Sequence, residues 1–246
     1  MLGEDSPSQS QSLGGSFDLT QDDTLLDVND FSSIRIDHAD TVANLTQAWI
    51  NERNAPELLP YKRYLVEPLL KAIEDQTETI MDTMDNPQRK FISMLFQNEI
   101  ERIKFVVRSY LRTRLYKIEK CTLEILRRAN EDDNILSPQE TAYARRYQEL
   151  LESHNHDSFL HLMPAGQHRQ DEKVADYDMV VRANMEAPVF IRARETCGPI
   201  QLDQRKIYLM RIYRDEETTM IEKDDIYILR YNVVRDLLLG GNVELI

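Results

Sequence analysis

Apolar residues recur every three to four positions through the first two thirds of the chain and every second position through most of the remainder. In DTVANLTQAWINERNA (40–55), Val42, Leu45, Trp49 and Ile50 fall on one side of a predicted helix, which Pro56 and Pro60 then punctuate. A second helix from about Arg63 to Asp85 carries Leu65, Leu69, Ile73, Ile80 and Met84 near helical spacing, with Asn86-Pro87 as a stop and restart. From Pro87 to about Asn130 there is no further Pro and no Gly. A helix over all of it would be ~66 Å long at 1.5 Å per residue, with a break expected near Lys120–Cys121. NILSPQETAYARRYQELLESH supplies another helix, with Ser137 as N-cap, Pro138 at its first position and Glu140 closing a capping box.

The pattern then changes. MPAGQHRQDEKVAD (163–176) is polar and contains Gly and Pro, as linkers do. Four β-type runs follow: VVRAN, PVFIRAR, KIYLMRIYR and DIYILRY. VVRDLLLGGN predicts one or two helical turns ended by Gly240, and NVELI an apolar extended terminus. The expected fold is α+β: an acidic tail over 1–38, a helical-bundle domain over 39–163, a linker over 164–177 and a small β-rich domain over 178–246.

ERIKFVVRSYLRTRLYKIEK (101–120) holds seven Lys/Arg in a chain of formal net charge −13. At 100° per residue, Ile103, Val107, Tyr110, Leu111 and Ile118 share one arc, continued upstream by Ile92, Phe96 and Ile100. Phe105 and Tyr116 lie on the opposite side, with Phe91 roughly in line, and a helix apolar on two sides is usually sandwiched. Lys104, Arg108 and Arg112 form a row between the two faces. Arg114 falls inside the main apolar arc, where a guanidinium needs a carboxylate partner. Three readings of the basic row are open: a solvated, internally paired face, a contact for a partner protein, or direct DNA binding. Glu74, Glu78, Asp82 and Asp85 on the preceding helix could neutralise the row, or repel DNA if exposed beside it.

The negative charge is uneven. Residues 1–40 hold nine Asp/Glu against Arg35 alone, a net of −8, and 41–246 carry a net of −5. A Ser/Gln/Gly/Asp-rich segment of that kind cannot bury enough apolar surface to offset its ordering entropy, so the tail is expected to be disordered when free. Within it, QDDTLLDVNDF (21–31) has the look of a short docking peptide or of a solubilising tail with chance leucines. Two cysteines far apart, Cys121 and Cys197, argue for a reduced intracellular protein. Neither a membrane span nor a secretory signal is expected.

Candidate chemistry is sparse. In ESHNHDSFLHLMPAGQH, His154 and His156 would point to different sides of a helix, and His154 and His161 would lie ~10 Å apart, too far to share an ion. There is no phosphate-binding GxxxxGK[ST] loop, no GxGxxG, no HExxH and no nucleophile elbow. No cofactor, metal or catalytic residue is expected.

INERNAPELLPY (50–61), the basic helix, ILSPQE (135–140), PVFIRARE (188–195) and the terminal YILRYNVVRDLL…VELI together resemble the Sld-five (Sld5) family of GINS subunits, over about Asp40 to Ile246. GINS is a four-subunit replication complex of eukaryotes. The resemblance implies a helical domain followed by a small β-rich domain. It also implies a non-catalytic, nuclear role beside three other GINS subunits, within an assembly with the MCM ring and a Cdc-type factor that forms the CMG helicase. Family subunits pair through their helical domains, which makes Phe91, Phe105, Arg108, Arg112, Arg114 and Tyr116 the expected subunit interface. The family's terminal domain docks back on the assembly, which would employ Val243, Leu245 and Ile246. The tail is similar to an acidic-leucine peptide that binds the trimeric Ctf-four/And-one scaffold. It keeps Asp22, Asp23, Leu25, Leu26 and Asp27, with Thr24 where an aliphatic residue is usual. Direct DNA binding through the basic row is the alternative.

Overall fold

The computed structural model describes residues 39–83, 90–164, 166, 168–171, 173–174, 177–201 and 218–246. The tail, residues 84–89 with the Asn86-Pro87 stop, and the expected strand KIYLMRIYR lie outside these described residues. Five helices come first: α1 (Ala39–Asn54), α2 (Arg63–Thr83), α3 (Lys90–Lys120), α4 (Thr122–Glu131) and α5 (Pro138–Ser158). A 3-10 turn at Leu160–Leu162 follows. The expected break falls at Cys121, whose backbone leaves the helical region at φ −131°, ψ 40°. The N–H of Cys121 still donates to Lys117 O, and that of Ile125 to Cys121 O, so the helix is re-aimed without losing continuity. At the start of α5, Ser137 Oγ accepts from Glu140 N at 3.2 Å while Glu140 Oε2 accepts from Ser137 N at 2.9 Å, the reciprocal capping box that SPQE predicts.

The second part is built on a three-stranded antiparallel sheet of order β6-β3-β7. It contains β3 (Pro188–Ala193), β6 (Ile226–Arg230) and β7 (Val243–Leu245). Two small ladders accompany it: β1 (Lys173–Val174) with β2 (Tyr177–Asp178), and β4 (Cys197–Gln201) with β5 (Thr218–Ile221). Strand alternation is regular in β3, where Val189, Ile191 and Ala193 point inward and Pro188, Phe190 and Arg192 outward. Helix α6 (Tyr231–Leu239) covers the inward face with Tyr231, Val234 and Leu238.

Two expectations need correction. The run VVRAN (180–184) forms no strand, because local side chains take its backbone. Asp178 Oδ1 accepts from Val180 N at the start of the run, and just beyond its end Asn184 Oδ1 accepts from Glu186 N, the turn geometry that Asp and Asn favour. Helix α6 begins at Tyr231 rather than Val233 and runs nine residues, longer than one or two turns. At its end Gly240 is the C-cap and Gly241 takes the left-handed conformation, φ +79°. Gly241 N donates to Leu238 O and Asn242 N to Leu237 O, which closes the helix and turns the chain back as β7 beside β3.

The helical and β-rich parts pack into one compact unit, Asp37–Ile246. Ala55 and Leu59, just after α1, belong to the same buried cluster as Val189, Ile191, Tyr231, Val234, Val243 and Leu245. A second cluster joins α1, α2 and α3, and a third joins α3, α4 and α5. Helix α3 contributes to both of these, so it is the spine of the helical domain.

Candidate assembly surface

The two sides of α3 differ in kind. Inward, Ile100, Ile103, Val106, Val107, Tyr110 and Ile118 are buried as the helical wheel requires. Arg114 lies among them with 0% of its surface exposed. All five of its N–H donors are used. Nε–H and one Nη2–H form a fork on Glu140 at 2.7 and 3.1 Å, and the other Nη2–H donates to Ile135 O at 2.7 Å. Nη1 donates to Glu52 Oε2 at 3.2 Å and to Leu59 O at 2.7 Å. The rings of Tyr61 and Tyr110 flank the guanidinium at 5.3 and 5.6 Å.

Burial by itself opposes the charge of Arg114, but the hydrogen bonds to Glu140 and the charge of Glu52 outweigh it and raise its pKa further. One turn on, Lys117 Nζ donates to Glu52 Oε1 at 2.7 Å, to Glu57 O at 2.7 Å and to Glu52 O. Here burial outweighs the carboxylate, so the ammonium pKa falls below its ordinary value. The phenol of Tyr110 is pushed up to about 12 by burial.

Arg114 was expected at a subunit interface, and that placement is corrected. Its own chain encloses it, and its partners are Glu52 and Glu140. The sequence pointed to the need for a carboxylate but not to its source. Glu140 had been assigned a capping role and fills both. Glu52 follows Leu45 and Trp49 at helical spacing, so an acid inside the apolar stripe of α1 was the available signal. Glu57 is the third such acid, 4% exposed. It accepts from Tyr231 Oη at 2.8 Å and Arg235 Nε at 2.6 Å, and it pairs with Arg128 at 3.0 Å. It thereby ties α4 to α6.

The C-terminal residues meet α1 directly. Val243 and Leu245 are buried. Asn51 Oδ1 accepts from Leu245 N at 2.9 Å, Gln47 Nε2 donates to Leu245 O at 3.0 Å, and Asn54 Nδ2 donates to Ile246 O at 2.7 Å. Backbone hydrogen bonding thus adds to apolar burial in holding the last strand.

Outward, α3 presents Phe91, Phe105 and Tyr116 at 69%, 58% and 65% exposure. Phe105 meets Trp49 of α1 edge-on, centroids 6.2 Å apart, and is otherwise open. Met94 and Leu95, both about half exposed, extend the strip and were not singled out from the sequence. For Leu95 the signal was heptad spacing: Phe91, Phe105 and Arg112 follow one seven-residue line, Leu95 and Tyr116 another, and Met94 falls on neither.

Two members of the charged row beside them, Lys104 and Arg108, are paired locally. Glu101 pairs with both Lys104 at 3.0 Å and Arg108 at 3.3 Å, and Glu99 with Arg102. These acids come from α3 itself and not from the acidic side of α2. Among the described residues the Arg112 side chain has neither ion pair nor hydrogen bond. The peptide residues Asp22, Asp23, Leu25, Leu26 and Asp27 lie outside the described residues.

The histidines are closer than sequence spacing implies. The 3-10 turn folds His161 back until its ring is 6.2 Å from that of His156, and His168 is 6.3 Å from His156. Ring nitrogens of His161 and His168 are engaged by the carbonyls of His156 and Met163. Among the described residues no three His, Cys, Asp or Glu are grouped to hold a metal ion. Nor, among the described residues, is any helix long and apolar enough to cross a membrane.

Two family models match. The GINS complex helical bundle domain covers residues 67–159, and the C-terminus of the DNA replication complex GINS protein SLD5 covers 184–246. The chain is similar to the DNA replication complex GINS protein sld5 of Schizosaccharomyces pombe, 37% identical over 204 residues, 82% of this chain and 90% of that protein. It is also similar to the Chaetomium globosum protein of that name, at 35% over 231 residues, 92% and 99% of the two chains. The Arabidopsis thaliana counterpart is 31% identical over 205 residues, 82% and 89% of the two chains.

Proposed function

This chain belongs to the Sld5 family of GINS complex proteins, and from that premise we propose that it is a non-catalytic structural subunit of the four-subunit GINS complex in DNA replication. It works in the nucleus, within the CMG helicase beside the MCM ring and the Cdc-type factor, during initiation and elongation. The observation that carries this reading is the two-sidedness of α3. One face is spent on the chain's own core, and the other leaves Phe91, Phe105 and Tyr116 more than half exposed. Large apolar side chains exposed along one face of a helix, beside paired charges, are the ordinary composition of a protein interface.

The buried ionisable groups support a structural role. Arg114, Glu52, Glu57 and Glu140 are each held by partners that join elements of the fold, so their charges are spent on packing one element against another. The tail's Asp22, Asp23, Leu25, Leu26 and Asp27 serve to dock the trimeric replisome scaffold. The DNA-binding alternative is weakened by Glu101, which already holds Lys104 and Arg108.

The test is light scattering on the full chain alone and co-expressed with the other three GINS subunits. The reading expects self-association or aggregation alone and a 1:1:1:1 complex together. A monodisperse monomer that ignores those subunits would contradict it.

A further inference from the structure

Seven basic residues lie between 101 and 120, and five are matched by acids of the chain: Arg102, Lys104, Arg108, Arg114 and Lys117. Arg112 and Lys120 are not, among the described residues. Both line one hollow of ≈580 Å³ between the end of α1 and the second half of α3, together with Arg53, Pro56, Thr113 and Tyr116. Arg53 is exposed, and its guanidinium lies over the Trp49 ring at 5.9 Å with no carboxylate partner among the described residues. Lys117 also borders the hollow, but its ammonium is turned inward to Glu52. Three uncompensated cations therefore converge on one concavity in a chain of net charge −13. Like charges placed together without counter-charge repel one another, and an acidic protein has ample Asp and Glu to prevent it.

The hollow continues the apolar strip. Tyr116 forms part of its wall, and Phe105 lies on the Trp49 side that Arg53 also covers. An occupant must bring carboxylates to Arg53, Arg112 and Lys120 and apolar side chains to Phe105 and Tyr116. Those demands recur along one side of an amphipathic helix rimmed with Asp or Glu, laid beside α3. We propose that this hollow is the receptor for an acidic-rimmed helix of another GINS subunit, and that its carboxylates are the missing partners of Arg53, Arg112 and Lys120. This rests on the subunit reading above and adds the chemistry of the partner. Phosphate would also suit three cations. However, a phosphate would leave the exposed Phe105 and Tyr116 uncovered, whereas an amphipathic helix covers them while it meets the cations.

Carbodiimide, which joins an ammonium to a touching carboxylate without a spacer, is applied to the purified four-subunit complex and the products are mapped by mass spectrometry. The expected product links Lys120 to an Asp or Glu of another subunit. In parallel, the triple variant Arg53→Glu, Arg112→Glu, Lys120→Glu weakens assembly about tenfold or more, and the triple Lys/Lys/Arg exchange at these positions retains it. If Lys120 links only within its own chain and the Glu variant assembles like wild type, the inference falls. Phe105→Glu then decides the underlying reading: loss of assembly leaves it standing, and normal assembly removes it as well. Two further results overturn the proposal in favour of another occupant. One is duplex DNA binding by the chain that the Glu variant abolishes without harm to assembly. The other is a homodimer of the free chain abolished in the same way.

Discussion

Arg108 and Arg114 sit six residues apart on one helix, carry the same charge and have opposite consequences. The first is 57% exposed at its side chain and shares Glu101 with Lys104 at 3.3 Å. The second has no exposed surface and spends every donor on two carboxylates and two backbone carbonyls from α1, the loops after α1 and α4, and α5. In water the outer pair is screened and contributes little. In the interior, desolvation makes each unmatched charge expensive, so the inner cluster is stable only when complete. The same residue type is therefore an adjustable surface feature on one side of α3 and a specifying element of the fold on the other. Sequence counts of Lys and Arg do not separate these roles, whereas position on the wheel does.

The largest effect expected from this contrast is on stability. Arg114→Met leaves Glu52 and Glu140 buried without their partner and should cost about 3–5 kcal/mol, read from the denaturant midpoint. Arg108→Met should stay within about 0.5 kcal/mol. Equal losses would break the comparison. Glu57→Gln is intermediate, at about 1–3 kcal/mol, because Arg128 and Arg235 lose their counter-charge. Hydrogen exchange should quicken in α6 before α5, and uniform quickening would mean that Glu57 does not specifically tie the β-rich part to the helices.

A further effect is a dependence on pH, confined to the alkaline range. The folded-state pKa of Tyr110, about 12, lies above the ordinary value of 10.0. Its contribution is therefore fully present below pH 10 and is lost as pH climbs toward 12, by up to ~2 kcal/mol. Tyr110→Phe should cost under ~1 kcal/mol at pH 7 and flatten that alkaline decline. Lys117 has the opposite sign. Its lowered pKa makes its contribution more favourable as pH rises toward 10.5, so Lys117→Met should reduce the rise below that pH. An unchanged alkaline limb in Tyr110→Phe would mean that the phenol is not sealed beside Arg114.

Local chemistry was legible where one or two neighbouring residues decide it. Ser137, Pro138 and Glu140 fix the start of α5, and the period of apolar residues fixes which side of α3 is core. The isolated Arg114 on that side required a buried acid. What sequence periodicity could not supply was pairing across distance. Glu52 lies 62 positions from Arg114, and Glu57 lies 174 positions from Tyr231. Either acid would pass for a surface residue if its apolar neighbours were ignored. The run 180–184 misled because β-branched valines suggest a strand, while turns built by Asp178 and Asn184 bracket it at Val180 N and Glu186 N. On the assembly side, Phe105 and Tyr116 were readable as a second apolar face. The convergence of Arg53 with Arg112 and Lys120 was not, since it depends on how α1 is laid along α3.

The most direct test of the central claim is one substitution measured twice. Phe105→Glu in the full chain is compared with wild type by thermal melting of the chain itself and by the molar mass obtained on co-expression with the other GINS subunits. The account predicts a melting temperature within a few degrees of wild type and loss of the 1:1:1:1 complex, because Phe105 is 58% exposed and leans only on Trp49. A normal complex, or a complex lost only because the chain itself unfolds, would contradict the assignment of the outer face of α3 to assembly.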